Sequence, residues 1–379
     1  MAWWSRFEPG EVVRDFERIA ASGMDSVRVF LLWEDFQPEA DRVDREALSR
    51  LVEVADAAAA AGLELMPTLF TGHMSGVNWI PGWALGGAER DMRFRVMSGG
   101  RIVGEGLRNW FVDDDLARAQ AMLAGEAATA LAGHPAMWAW DLGNEPSNCV
   151  VPPDREHGRR WLGLMTSVIR TADPASPITI GLHMEDLEQD RRLGPREAAE
   201  VCDFLTMHGY PIYASWAEGA TDEHLVPFLA LVTRWLGGGA DVLFSELGLP
   251  TFRSGEALAP MLVEEKEAAR YTARVLEGLR LAACAGAMVW CYSDYAPEIW
   301  PEPPLDEATH ERSFGLWRAD GSAKPAVAEI GAAAGRSRLE SSTVSGDFID
   351  TDQQTYWRDP AGELARLYRR YREMRSSST

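Results

Sequence analysis

The feature that most restricts what this chain can become is a recurrence. Short runs of aliphatic, β-branched and aromatic residues alternate with amphipathic helical stretches along most of its 379 residues. The runs are Ser26–Trp33, Leu63–Phe70, Met137–Leu142, Ile178–His183, Phe204–His208, Asp241–Glu246 and Ala287–Tyr292. Helices are expected over about 8–22, 44–61, 114–132, 155–171, 195–201, 222–236 and 260–283, and a last one from Lys324-Pro325. Residues Val12, Val13, Phe16, Ile19 and Ala20 are expected on the buried face of the first. Runs without polar alternation suit strands covered on both faces, as in a parallel sheet. Strands alternating with helices at this spacing signal an α/β protein.

The polar, reactive residue types fall at the C-terminal end of each run or just beyond it, where barrel active sites are built. A doubly wound open sheet would gather its chemistry at one switch point, usually with a Gly-rich phosphate turn, and the sequence has no such turn. The expected fold is a (β/α)8 TIM barrel over residues 1–335. Its first strand is missing or atypical, because it would have to lie upstream of Arg6, where only Met1 to Ser5 are available. Residues 336–379 form an extension expected to pack on the barrel. It holds a helix at about 360–374, and a possible strand at Ser342–Ile349 that could stand in for the missing one.

Composition narrows the function. A formal charge of −21 argues against nucleic acid and anionic membranes, whose binding rests on Lys and Arg neutralising phosphate. No apolar run is long enough to span a bilayer, and the N-terminus lacks a basic-then-apolar leader, so a cytoplasmic location is expected. The four cysteines form no Cys-x-x-Cys pair, which predicts free thiols, no zinc and no cofactor. Several of the 15 tryptophans (Trp79, Trp83, Trp110, Trp216 and Trp300) lie in polar, Gly- and Pro-rich surroundings. Indole faces in loops suit the flat apolar faces of sugars. The long connection from Thr71 to Val112 is expected to wall or cover a cleft.

Two carboxylates stand out. Glu145 ends the run Trp138-Ala139-Trp140-Asp141-Leu142-Gly143-Asn144, and Glu246 ends another apolar run before Leu247-Gly248. Two carboxyls at strand ends are the apparatus of glycoside cleavage. One donates a proton to the leaving oxygen, and the other attacks the anomeric carbon.

The Asn144-Glu145-Pro146 motif, followed about a hundred residues later by a strand-end glutamate, resembles the clan A retaining glycoside hydrolases. The nearest pattern is family 5, the cellulase and mannanase family. The resemblance implies Glu145 as acid/base and Glu246 as nucleophile. It implies that Arg28 hydrogen-bonds Glu246 and keeps it ionised, that Tyr210 of His208-Gly209-Tyr210 orients Glu246, and that His208 meets Glu145. Asn144 would bind the sugar 2-hydroxyl, His73 another hydroxyl, and Trp290 would underlie the reacting ring. Trp33, Trp79, Trp83, Trp216, Trp300, His183 and Glu185 are further candidate sugar contacts.

The wording around Arg28 and His73 is similar to the β-mannosidase-like branch of that family. With the Pro-rich stretch Pro297–Pro304 closing one end of the cleft, an exo-β-mannosidase acting on manno-oligosaccharides is expected. An endo-β-mannanase or a β-glucanase/β-glucosidase is the alternative within the class. Outside it stand a non-catalytic carbohydrate-binding barrel and a metal-dependent barrel hydrolase or isomerase using His73, His183, His208 and Glu246.

Overall fold

The computed structural model of the chain describes residues 3–87, 92–254 and 261–376. They form two compact units. Unit 1 runs to Gly181 and takes in Arg191–Leu193 and Glu197–Phe204. Unit 2 holds Leu182–Asp190, Gly194–Arg196 and the chain from Leu205 onward.

Unit 1 is built on four strands in the order β1 (Ser26–Phe30), β2 (Glu64–Thr68), β3 (Trp140–Asn144) and β4 (Ile178–Gly181), all paired in parallel. The helices are α1 (Pro9–Ala21), α2 (Arg45–Ala61), α3 (Asp114–Leu131) and α4 (Arg155–Ala172). Asp44, Asp113 and Asp154 start α2, α3 and α4 by accepting backbone N–H groups that lack helical partners. Gly62 ends α2 in the left-handed conformation, φ 72°. Along α3, Leu116, Ala119, Leu123, Ala127 and Leu131 recur at helical spacing and are buried. Each such leucine contributes about 1.5–3 kcal/mol. On α1 the buried stripe is Val12, Phe16 and Ile19. Val13, expected on that face, is 42% exposed, because one residue further on the helix turns about 100° away from the core.

Three boundaries differ from the sequence expectation. The first run stops as a strand at Phe30, and Trp33–Phe36 turns into a short helix. β3 begins at Trp140 and extends through Asn144, so the residue before Glu145 is still sheet. The Thr71–Val112 connection carries its own β structure. His73–Met74, Val77–Trp79, Arg95–Ser98 and Arg101–Val103 make a small four-stranded sheet, and Leu85–Gly87 pairs with Gly106–Leu107.

Among the described residues no strand precedes α1; Met1 and Ala2, part of the stretch considered for one, lie outside them. In its place a side chain serves β1. The Trp4 indole is 2% exposed and donates to the Phe30 carbonyl at 2.7 Å. The Trp4 ring meets Phe36 edge-on at 4.7 Å, and Arg50 of α2 donates to the Trp4 carbonyl at 2.6 Å.

Unit 2 contains β5 (Leu205–His208), β6 (Val242–Leu247) and β7 (Gly286–Val289), parallel and in that order. Its longer helices are α5 (Leu225–Leu236), α6 (Glu265–Leu281), α7 (Ala326–Ala334) and α8 (Pro360–Ser376). The stretch Ser342–Ile349, considered as a replacement strand, is bends and turns. Its apolar content goes into packing instead: Phe348 is 1% exposed, with its ring 5.7 Å from Phe228 and 5.2 Å from Tyr371. α8 buries Leu364, Leu367, Tyr368 and Tyr371, and the Tyr368 hydroxyl donates to Asp222 at 2.5 Å.

The Trp4 bond gives a test. Trp4→Phe keeps the ring and removes the N–H donor, so stability should fall by about 1 kcal/mol. Trp4→Ala should cost about 3–5 kcal/mol. Equilibrium urea denaturation separates the two, and a neutral Trp4→Phe would show that the indole bond contributes nothing.

Candidate active site

In unit 1 the site begins with charge inside the sheet. Asp141 sits in β3 at 0% exposure, and register sets it beside Thr68 of β2. An isolated carboxylate could not be buried there. Arg28 of β1 meets it: Nη2 donates to Asp141 Oδ2 at 2.6 Å and Nε at 3.0 Å. Thr68 Oγ1 donates to the same oxygen at 2.8 Å and accepts from Arg28 Nε at 2.9 Å. Arg28 Nη2 also donates to Asn144 Oδ1 at 2.8 Å. A guanidinium can only donate, so this contact fixes which end of the Asn144 amide faces it. The Asn144 Nδ2 then donates to the His73 carbonyl at 2.5 Å. His73 is held in turn by Asn78, Nδ1 to Oδ1 at 2.9 Å, and its ring lies 4.2 Å from Phe94.

Glu145 follows directly. Its backbone leaves the strand in the left-handed region, φ 48° and ψ 52°, and Pro146–Asn148 continue as a 3-10 turn. A non-glycine residue there is sparsely populated and strained. The conformation persists because the Glu145 N–H donates to the Gly181 carbonyl at 3.0 Å and its carbonyl accepts from the Asn148 N–H at 2.9 Å. The Asn148 amide donates to Glu145 Oε2 at 2.8 Å. Beneath lies Cys149, whose thiol is pushed far above its ordinary range by burial first and the Glu145 charge second.

In unit 2, Glu246 lies in β6 at 7% exposure, and the Tyr210 hydroxyl donates to its Oε2 at 2.8 Å. His208 Nδ1 is 3.7 Å from that oxygen, beyond hydrogen-bond range. Gly209 between them allows the approach: a Cβ there would stand 2.5 Å from Leu229 Cδ1. A Cβ on Gly248 would stand 2.3 Å from the Trp290 carbonyl oxygen. Trp290 itself follows β7, half-buried, with a cis peptide to Cys291.

The other predicted sugar contacts divide. Trp33 is corrected to a core residue: it is 1% exposed, its indole donates to Gln37 at 2.8 Å, and Phe70, Trp83 and Trp110 surround it. Trp79 and Trp83 are half-buried, with indole N–H groups on the Met74 and Gln37 carbonyls. Trp216 donates to Glu188 at 2.7 Å and packs on Tyr368 of α8. His183 is buried, and Glu185 opens a short helix. Trp300 is 36% exposed and carries Arg312 over its face at 5.1 Å.

Sequence reasoning passed over Asp141, Thr68, Asn78, Asn148 and Arg191. Asp141 had a signal: a lone acid inside an apolar run requires a buried cation. Arg191 had none, since only the folded chain brings it to Ser147 and Asn148.

No family model matches the chain, and neither does any curated protein. Solved structures do. A substituted form of GH5_18 from Streptomyces cattleya, in complex with Manb1-4GlcNAc, is 23% identical with a TM-score of 0.75, covering 96% of this chain and 86% of that one. GH5_18 from Bifidobacterium longum subsp. infantis is 21% identical with a TM-score of 0.73, covering 90% and 76%. The exo-beta-1,4-mannosidase Op5Man5 from Opitutaceae bacterium strain TAV5 is 26% identical with a TM-score of 0.70, covering 88% of this chain and 56% of that one. The chain therefore has the (β/α)8-barrel fold of these enzymes, and the resemblance to family 5 glycoside hydrolases extends from motif to structure. No helix among the described residues is long and apolar enough to cross a membrane.

The buried pair gives the second test. Arg28→Met leaves the Asp141 carboxylate desolvated and unpaired by its guanidinium, and should destabilise the chain by about 3–5 kcal/mol. Chemical denaturation reads this directly, and a loss under about 1 kcal/mol would contradict a buried ionised pair.

Proposed function

We propose that the chain is a retaining glycoside hydrolase of β-linked hexosides, and that its reaction is the release of terminal β-mannose from short oligosaccharides. The observation that carries this reading is the pairing of each strand-end glutamate with a donor of its own, Asn148 for Glu145 and Tyr210 for Glu246. In the barrel fold the C-terminal ends of the strands form one catalytic face. The two carboxyls are thereby candidates for action on one glycosidic bond.

In the first step Glu246 attacks the anomeric carbon as the bond to the leaving oxygen breaks, and the Glu145 proton goes to that oxygen. In the second, Glu145 takes a proton from water, whose oxygen displaces Glu246 from the sugar. Two inversions give net retention. Donation from the Tyr210 hydroxyl to Glu246 Oε2 is proposed to hold that carboxyl in orientation for the attack. Arg28 is proposed to add its charge on the same side. Asn144, with its amide oriented by Arg28 and His73, is the candidate partner of the sugar 2-hydroxyl. His208 is proposed to assist Glu145, His73 to bind a further hydroxyl, and Trp290 to lie beneath the ring. Trp79, Trp83, Trp216 and Trp300 are retained as outer sugar contacts. Support for mannose comes from the likeness to an exo-beta-1,4-mannosidase and to structures holding Manb1-4GlcNAc.

The test is a panel of 4-nitrophenyl β-mannoside, β-glucoside and β-galactoside together with Manβ1-4GlcNAc and manno-oligosaccharides, with the product anomer followed by NMR. Mannose released first as the β-anomer is the expected result. Preference for glucosides or internal cleavage would move the assignment within the class, and an inverted product would sink the two-step mechanism. Glu145→Ala should lower turnover of the disaccharide by about 10²–10⁴-fold, the size of a general-acid contribution. Glu246→Ala should abolish it.

A further inference from the structure

The turn after Glu145 is held by a segment far along the chain. Arg191 is 7% exposed, and its Nη1 donates to the Ser147 carbonyl at 3.0 Å, to Ser147 Oγ at 3.2 Å and to Asn148 Oδ1 at 3.1 Å. Asn148 is itself 6% exposed, and its carbonyl accepts from Asn78 Nδ2 at 3.1 Å. The segment is fastened on both sides of Arg191. Arg192 takes a left-handed backbone, φ 61°, which lets the next side chain also reach back, to the Pro152 and Pro153 carbonyls. Leu193 is 1% exposed against α4, where a Cβ on Gly158 would stand 3.0 Å from the Arg192 carbonyl oxygen.

A primary amide has two faces, and here the neighbour decides between them. Arg191 has only donors, so Asn148 must turn Oδ1 toward it. The Nδ2 hydrogens then point at Glu145 Oε2. Without that constraint the amide could flip and present its oxygen to the carboxylate, which would be repulsive. With it, the near two-fold symmetry of the glutamate carboxyl is broken. Oε2 is engaged as an acceptor, and the transferable proton is favoured on Oε1.

We propose that Asn148 and Arg191 are positioning residues for the acid/base carboxyl: Asn148 acts on Glu145, and Arg191 acts through Asn148. The proposal rests on the reading of Glu145 as acid/base. Its signature is selective. Proton donation matters when the leaving group is a sugar hydroxyl and hardly at all when it is dinitrophenolate.

The experiment compares kcat/KM for Manβ1-4GlcNAc and for 2,4-dinitrophenyl β-mannoside in Asn148→Ala, Asn148→Leu, Arg191→Met, Arg191→Lys and the double variant Asn148→Ala/Arg191→Met. Thermal melting reports folding of each. Asn148→Ala should lose about 10–100-fold on the disaccharide, part of the general-acid contribution. It should do so in kcat with little change in KM, and stay within about twofold on the activated substrate. Arg191→Met should lose less, Arg191→Lys should recover part of that loss, and the double variant should match Asn148→Ala, as residues acting in series are not additive. If Asn148→Ala or Arg191→Met fails to fold, Asn148→Leu and Arg191→Lys carry the comparison.

Equal losses on both substrates, or none on either, would overturn the proposal; additive losses would overturn the series order. Glu145→Ala separates the two levels. If it shows the leaving-group split and Asn148→Ala does not, positioning fails and the function stands. If Glu145→Ala shows no split, or the wild type cleaves neither mannoside, the function fails and the proposal with it.

Discussion

A guanidinium and a carboxylate withdrawn from water together govern the geometry of unit 1. Arg28 and Asp141 lie on strands separated by β2, and neither charge could be buried there alone. Their attraction is strengthened by the low dielectric that makes each so costly unpaired. Thr68 supplies a further hydrogen bond to the same carboxylate oxygen. Nη2 of the same guanidinium also orients Asn144, and Asn144 anchors the His73 carbonyl. A chain of hydrogen bonds thus runs from the sheet interior to its end. The residue presented at the close of that series is Glu145.

Much of the scaffold was legible because its signals are local. Seven apolar runs became seven parallel strands, and the helices expected over about 44–61 and 114–132 are found at Arg45–Ala61 and Asp114–Leu131. The glutamates were legible because an acid at the mouth of an apolar run is uncommon without use. The partners were less so. Asn148 lies three residues from Glu145, in a turn whose shape only the left-handed residue reveals. Arg191 depends on contacts across more than forty positions, which no periodicity encodes. Trp33 was misread for a related reason. Tryptophan next to a strand end serves equally as sugar platform or core, and the choice is made by Phe70, Trp83 and Trp110, which arrive from elsewhere. The connection after β2 hid its sheet because its strands are two to four residues long, too short for alternation to register.

Unit 2 relies on close approach as well as on buried charge, such as Lys324 on Asp294 at 2.7 Å. A methyl group on Gly248 would strike the Trp290 carbonyl, which is backbone and cannot swing aside, and one on Gly209 would push against Leu229. The C-terminal tail adds to the same unit. Its tyrosines bury hydroxyls as well as rings: Tyr356, ahead of α8, donates to the Leu187 carbonyl in the short helix that Glu185 opens, and Tyr368 of α8 donates to Asp222.

The backbone of Glu145 has a consequence for how such a chain can change. A residue held at φ 48° is placed where glycine or asparagine would sit more comfortably than any glutamate. At this position folding and chemistry therefore rank the amino acids in opposite orders. Random substitution filtered by stability alone would drift toward an inert loop, while the hydrogen bonds of Asn148 and Gly181 would still draw the same turn. A relative that had lost its carboxylate here would keep the outline of the site, and its silence would be visible only in the side chain.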